Sequence, residues 1–174
     1  MNKQILRNKY KEIRKNIDDK EEQANIIFNK VINLEEYKQS DLILIYVSLK
    51  DEVDTIELIK HSLEIGKKVA TPKCEGNDII FYYINTLENL EERSFGILEP
   101  RTNKKVDSFN NSICIIPGIA FDKQNNRIGY GRGFYDRFLE NYKGIKIGLT
   151  YKECICDKID SEKNDIKMDK VIFN

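Results

Sequence analysis

Apolar positions change their spacing from segment to segment along the chain, and the spacing predicts the elements. Near the amino end Ile5, Leu6, Tyr10, Ile13 and Ile17 recur at helical intervals, and a second helical run carries Ile26, Ile27, Val31 and Leu34. Asp18 or Asp19, between the two runs, is placed to cap the second helix. Residues 41–47 then form a continuous apolar run, the pattern of a strand buried on both faces of a parallel sheet. Asp54 or Thr55 caps a further helix with Ile56, Leu58, Ile59 and Leu63 inward. Gly66 stops it, and Lys67 and Lys68 stand near its negative end.

Residues 69–72 and 79–84 read as strands, with Asn77-Asp78 as the turn before the second. Residues 85–112 are less regular, and Phe95-Gly96-Ile97-Leu98-Glu99-Pro100 is their one recognisable feature. Residues 112–117 form a buried strand, followed by a glycine-containing loop and a helix over Phe134–Asn141. Residues 145–150 and 170–173 supply the last strands. Apolar strands alternating with helices argue for an α/β fold with a mainly parallel sheet. No repeat and no linker-like stretch divides residues 1–174, so one domain is expected.

Composition narrows the function. Lys+Arg and Asp+Glu number 29 each, so global charge gives no reason to expect a nucleic-acid partner. Phosphate recognition, if present, must be built locally. Cys154 and Cys156 are two apart, which is not zinc-ligand spacing, and His61 is the one histidine; free thiols in a reducing compartment are expected. The amino end lacks the apolar core of a leader, and no apolar run approaches the ~20 residues that span a bilayer. A cytoplasmic location is expected.

The local chemistry concentrates in Ile115-Ile116-Pro117-Gly118-Ile119-Ala120-Phe121-Asp122 and the following Arg127-Ile128-Gly129-Tyr130-Gly131-Arg132-Gly133-Phe134-Tyr135-Asp136-Arg137. Three glycines at alternate positions let backbone N–H groups approach phosphate oxygens. The spacing is neither the dinucleotide fingerprint nor the Walker loop. The loop nonetheless follows a buried strand, precedes a helix and is flanked by arginines. Asp136 is either a first-turn carboxylate favoured by the helix dipole or a Mg²⁺ ligand. Lys3 and Arg7 share a helical face that Arg14 continues. Such a stripe alone reads as solvated charge, but the pair can reach a triphosphate if the helix packs beside the loop. Capping accounts for Asp54 and Thr55 but not for Glu52, a carboxylate suited to the adjacent N–H donors of a pterin or purine. Phe81, Tyr82 and Tyr83 either line an aromatic pocket or are half-buried strand residues, and the acids of residues 164–170 read as surface charge.

Together these residues resemble the 5-formyltetrahydrofolate cyclo-ligase family, also called 5,10-methenyltetrahydrofolate synthetases. The match is to Pro-Gly-x-Ala-Phe-Asp and Arg-Leu-Gly-Tyr-Gly-x-Gly-Tyr-Tyr-Asp-Arg, with Ile128 for Leu and Phe134 for the first Tyr. Lys3-x-x-Leu6-Arg7, Glu52-Val53-Asp54-Thr55, Phe95-Gly96-Ile97 with Glu99-Pro100, and Asp165-x-x-x-Asp169 agree in order and spacing.

The resemblance implies a three-layer α/β sandwich, a mainly parallel central sheet flanked by helices. It also implies ATP- and Mg²⁺-dependent conversion of 5-formyltetrahydrofolate to 5,10-methenyltetrahydrofolate, ADP and phosphate. In family terms Lys3 and Arg7 contact the ATP phosphates, and the loop of Arg127, Ile128, Gly129, Gly131, Arg132, Gly133, Phe134 and Tyr135 encloses them. Val47, Glu52 and Tyr130 contact the folate, as do Gly131, Arg132 and Phe134. Asp136 and Asp165 serve the Mg²⁺, and Arg132 and Lys3 are the catalytic cations. Phe134 lacks the hydroxyl of the usual tyrosine but keeps a ring to pack. The implied partners are ATP and the folate, with or without a polyglutamate tail, and a monomer is expected. Two other readings stay open: a non-catalytic folate- or nucleotide-binding relative, and an ATP-dependent kinase or ligase for another small heterocycle.

Overall fold

A computed structural model describes residues 2–174. Helix α1 (Lys3–Lys15) starts at Asn2, whose side chain accepts the Gln4 N–H, and turns Leu6, Tyr10 and Arg14 inward. Helix α2 (Lys20–Ile32) starts after Asp19, which has φ 55° and makes no side-chain capping bond, contrary to expectation. A short helix α3 (Glu35–Gln39), too brief for a periodic signal, buries Tyr37. Strand β1 (Leu42–Ile45) is buried at every position.

Helix α4 (Ile56–Glu64) divides the expected capping work between two residues. Asp54 accepts the Ile56 N–H at 2.8 Å, whereas the Thr55 hydroxyl donates to Tyr46 O at 2.7 Å and straps the helix to the end of β1. Gly66, at φ +82°, ends α4 with a left-handed turn. The Lys67 ammonium does not stay at that end; it donates to Lys38 O and Ser40 O, where α3 leaves carbonyls unpaired.

Strands β2 (Lys68–Glu75) and β3 (Asp78–Ile84) form a hairpin that pairs Glu75 with Asp78. Its turn is therefore Gly76-Asn77, one residue earlier than expected, because Gly76 takes φ +61°. Residues 85–112 hold a second small hairpin, β4 (Leu90–Glu92) and β5 (Leu98–Pro100). The chain continues through β6 (Ser112–Pro117), β7 (Ala120–Asp122), β8 (Arg127–Ile128), α5 (Phe134–Asn141), β9 (Ile145–Leu149), β10 (Ile155–Cys156) and β11 (Lys170–Ile172).

The main sheet runs β11-β9-β6-β1-β2-β3, parallel except for β3 at one edge. Its strands sort side chains by parity, as a pleat requires. Ile43, Ile45, Ile113 and Ile115 meet α2, α3 and α4 on one face, while Leu42, Leu44, Cys114 and Ile116 meet α5 on the other. That is the three-layer α/β arrangement. The sequence does not show a second small sheet, β10-β7-β8, which carries α1 instead of letting it join the main layers. Its strands are two or three residues long, too short to alternate.

Phe81 and Tyr82 are buried, and Phe81 packs on the Phe138 ring at 4.8 Å, so this aromatic run is structural. The four cysteines form no disulfide, and burial pushes the Cys154 and Cys156 thiols up to about 11. Among the described residues no helix is long and apolar enough to cross a membrane.

Candidate active site

From β1 the chain builds outward through β2 and β3, then returns to the opposite side of β1 for β6 and β9. Open α/β sheets bind ligands at such a reversal, outside the carboxyl ends of the strands. A cavity of about 1490 Å³ lies there. The exit of β1 gives it Tyr46, Val47, Leu49 and Glu52, and the end of β6 gives it Pro117.

The glycine loop forms a second wall, between β8 and α5. Gly131 and Gly133 adopt φ +98° and +69°, values that glycine takes without steric cost. A Cβ on Gly131 would stand 3.4 Å from the Arg7 guanidinium, so α1 approaches the loop closely. Arg7 Nε also donates to Gly129 O at 2.9 Å. On the far side Arg137 donates to Arg132 O at 3.0 Å and to Asn77 O, tying the loop to the β2–β3 turn. The Arg132 guanidinium itself has neither a hydrogen bond nor an ion pair among the described residues.

Two carboxylates meet the loop, each held by a cation. Asp136 lies in the first turn of α5 and receives Arg127 Nη2 at 3.1 Å. The Arg127 side chain is 6% exposed, and its Nη1 donates to Pro117 O at 3.1 Å. Asp165 receives Lys3 Nζ at 2.5 Å and the Glu162 N–H at 2.6 Å. Burial works against the Lys3 charge, but the bonds to Asp165 and Glu162 outweigh it and hold the ammonium pKa above its ordinary value. The Ile166 N–H points at Asp136 Oδ1 from 3.4 Å, which brings the backbone next to Asp165 against Asp136.

Glu52 has structural partners the sequence did not reveal. It is 7% exposed, accepting the Leu49 N–H at 2.8 Å and the Tyr130 hydroxyl at 2.7 Å. Burial, with the Glu52 charge beside it, raises the Tyr130 phenol well above its ordinary value.

A sequence model of the 5-formyltetrahydrofolate cyclo-ligase family matches residues 1–174. The chain belongs to that family. The 5-formyltetrahydrofolate cyclo-ligase of Haemophilus influenzae is 30% identical over 178 residues, covering 95% of this chain and 94% of its own. The solution structure of Aquifex aeolicus 5,10-methenyltetrahydrofolate synthetase has a TM-score of 0.87 and 32% identity, covering 99% of this chain and 89% of its own. A synthetase from Mycoplasma pneumoniae, at 24% identity and 99% coverage of both chains, shares the fold with a TM-score of 0.80.

Every site residue expected from the sequence lines the one cyclo-ligase cavity: Lys3, Arg7, Val47, Glu52, residues 127–136 and Asp165. Several others were missed. Pro72 and Cys74 of β2 and Ile79 of β3 form part of the wall, and the turn after β4 brings Phe95 and Ile97 to it. Phe95 is 97% exposed at φ 63°, a bulky ring held out by a left-handed residue. The sequence marked that segment as a motif without assigning it a role. Phe134 keeps the ring packing expected of it, with the Arg137 guanidinium 5.3 Å from the ring centre.

Proposed function

We propose that this cyclo-ligase converts 5-formyltetrahydrofolate to 5,10-methenyltetrahydrofolate at the expense of ATP, with both substrates in the one cavity. The supporting observation is the convergence of Lys3, Arg7, the free Arg132 guanidinium and the glycine loop with Glu52 around about 1490 Å³. Sites for a single small ligand enclose roughly 300–1,000 Å³.

In this reading α1 and the loop bind the nucleotide. Lys3 and Arg7 approach the phosphates from one side and Arg132 from the other, while backbone N–H groups of the loop supply further donors. Asp136 and Asp165 would hold Mg²⁺. They are hard oxygen donors lining the same cavity, and two carboxylates suit an ion that keeps waters and phosphate oxygens as its other ligands. Bound there, the ion would offset charge on the transferring phosphoryl group. Arg127 serves by fixing Asp136.

The folate lies against Val47 and Glu52. A formamide oxygen is a poor leaving group, so the γ-phosphoryl group passes from ATP to that oxygen, the bond to the β-phosphate breaks, and ADP forms. N10 attacks the formyl carbon and loses its proton. The carbon–oxygen bond then breaks, and phosphate departs with the former formyl oxygen. Positioning and charge neutralisation carry such a transfer, and no side-chain nucleophile is required. N5 and N10 belong to one molecule, so closure gains from proximity.

Following the absorbance of the methenyl product tests the reading. Product should form only with ATP, Mg²⁺ and 5-formyltetrahydrofolate together. Formation without ATP, or phosphate release unaffected by the folate, would contradict it.

A further inference from the structure

The stripe begun by Lys3 and Arg7 continues to Arg14, yet Arg14 does not face the cavity. It is 6% exposed, between α1 and the carboxyl end of β6. Its Nη1 donates to Gly118 O at 3.2 Å and its Nη2 to the Tyr130 hydroxyl at 2.8 Å. The same hydroxyl stands 2.7 Å from Glu52 Oε1. A buried cation, a phenol and a buried carboxylate thus form a line from α1 through the glycine loop to the exit of β1.

The direction of each bond follows from chemistry. A guanidinium has donors and no acceptor, so the Tyr130 oxygen must accept from Arg14. The single phenolic proton is left for Glu52, whose Oε1 accepts it. The Leu49 N–H occupies the other Glu52 oxygen, and Tyr151 OH fixes the backbone by donating to Glu52 O at 3.0 Å. Glu52 is therefore pinned at both oxygens, with its remaining lone pairs open to a ligand that presents N–H donors.

We propose that Arg14 is a positioning residue for folate binding: acting through Tyr130, it holds the Glu52 side chain aimed into the cavity. Because Tyr130 stands between Gly129 and Gly131, residues assigned to the nucleotide, the line also fixes the folate site relative to the phosphate site. The proposal rests on Glu52 holding the folate.

Equilibrium titration of 5-formyltetrahydrofolate without nucleotide reads the effect apart from the chemistry, with melting curves confirming the folded state. Arg14→Gln and Tyr130→Phe should each raise Kd about tenfold, as loss of a bond to a charged group does. In the Tyr130→Phe background Arg14→Gln should add less than about twofold, because its route is already cut. Arg14→Lys, which keeps the charge, should restore part of the affinity. Additive losses in the double variant, or a folded Arg14→Gln variant with unchanged Kd, would overturn the proposal. If Arg14→Gln does not fold, an unchanged Kd in Tyr130→Phe overturns it equally. Glu52→Gln separates the two readings. Loss of affinity there with none in the other variants sinks only the line through Tyr130, whereas no loss there sinks the folate assignment itself.

Discussion

Lys3 Nζ lies 2.5 Å from Asp165 Oδ2, joining the first turn of the chain to its last loop across 162 positions of sequence. Glu162, 3.2 Å from the same ammonium, completes the cluster. A cation proposed for the phosphates and a carboxylate proposed for the metal therefore neutralise each other in the free protein. Arg127 and Asp136 repeat the arrangement at 3.1 Å. A magnesium nucleotide brings both signs of charge, so it can replace either pair without leaving a group uncompensated.

The aspartates should consequently separate by stability but agree by metal dependence. Asp165→Asn breaks a partly exposed pair and should cost under about 1 kcal/mol. Asp136→Asn should cost more, because the guanidinium it leaves is nearly buried. Both should lower the rate at least about tenfold and shift the Mg²⁺ half-saturation upward. Rate-against-Mg²⁺ curves identical to the parent protein in both variants would remove the metal role.

Arg132 and Glu52 should affect different substrates. The Arg132 guanidinium is uncommitted, so Arg132→Ala removes charge from the phosphate side without disturbing packing. Its kcat should fall about 100-fold. The folate Michaelis constant should stay within about threefold, since the folate's main polar anchor is Glu52. Glu52→Ala strips the acceptor from Tyr130 and Leu49 and should raise the folate constant at least about tenfold. Steady-state kinetics with each substrate varied in turn decides the matter. Equal effects on both constants would end this division of labour.

What the sequence revealed depended on how regular the signal was. β1 and β6, buried on both faces, appear as unbroken apolar runs, and α5 matches its expected bounds because glycine and periodicity agree. The second sheet stayed hidden because strands of two or three residues carry no alternation. Its anchor, Asp122, sits inside a motif read as chemistry but is used structurally, accepting from Gln124, Asn126 and Ile159. The candidate site was legible through the glycine motif and the family resemblance, whereas the charges near both chain ends read, taken alone, as solvated. Their pairing was not, since sequence spacing does not show that Arg14 turns inward or that Glu52 meets Tyr130.

That Asp122 network predicts a specific acid dependence. The carboxylate is 2% exposed; burial opposes its charge, but hydrogen bonds from Asn126, Ile159 and Gln124 outweigh burial and hold its pKa below the ordinary 3.8. A depressed folded-state value means stability that is present above the unfolded pKa and lost as pH falls through the folded one. Asp122→Asn should therefore destabilise the protein by about 2 kcal/mol near neutrality, because its amide N–H faces other donors. The gap between the two proteins should stay constant down to about pH 5 and narrow below the ordinary carboxylate range. Melting temperatures against pH would show this, and a gap that persists undiminished into acid would contradict it.

Gly129 tests whether Arg127 acts through Asp136. Unlike Gly131 and Gly133, Gly129 has no left-handed φ, so its backbone accepts alanine. The new Cβ would fall 2.8 Å from Arg127 Nη1, the nitrogen that donates to Pro117 O. The Arg127 guanidinium is nearly buried and ion-paired, so displacing it should cost about as much stability as Asp136→Asn. The guanidinium must leave the position from which it holds Asp136. Gly129→Ala should then show both the raised Mg²⁺ half-saturation and the lowered melting temperature of Asp136→Asn. Gly133→Ala should differ, since φ +69° strains any side chain and its Cβ meets Arg137 instead. It should lose about 1 kcal/mol without the same shift in metal dependence. A Gly129→Ala protein that keeps the parent Mg²⁺ curve would show that Arg127 does not act through Asp136.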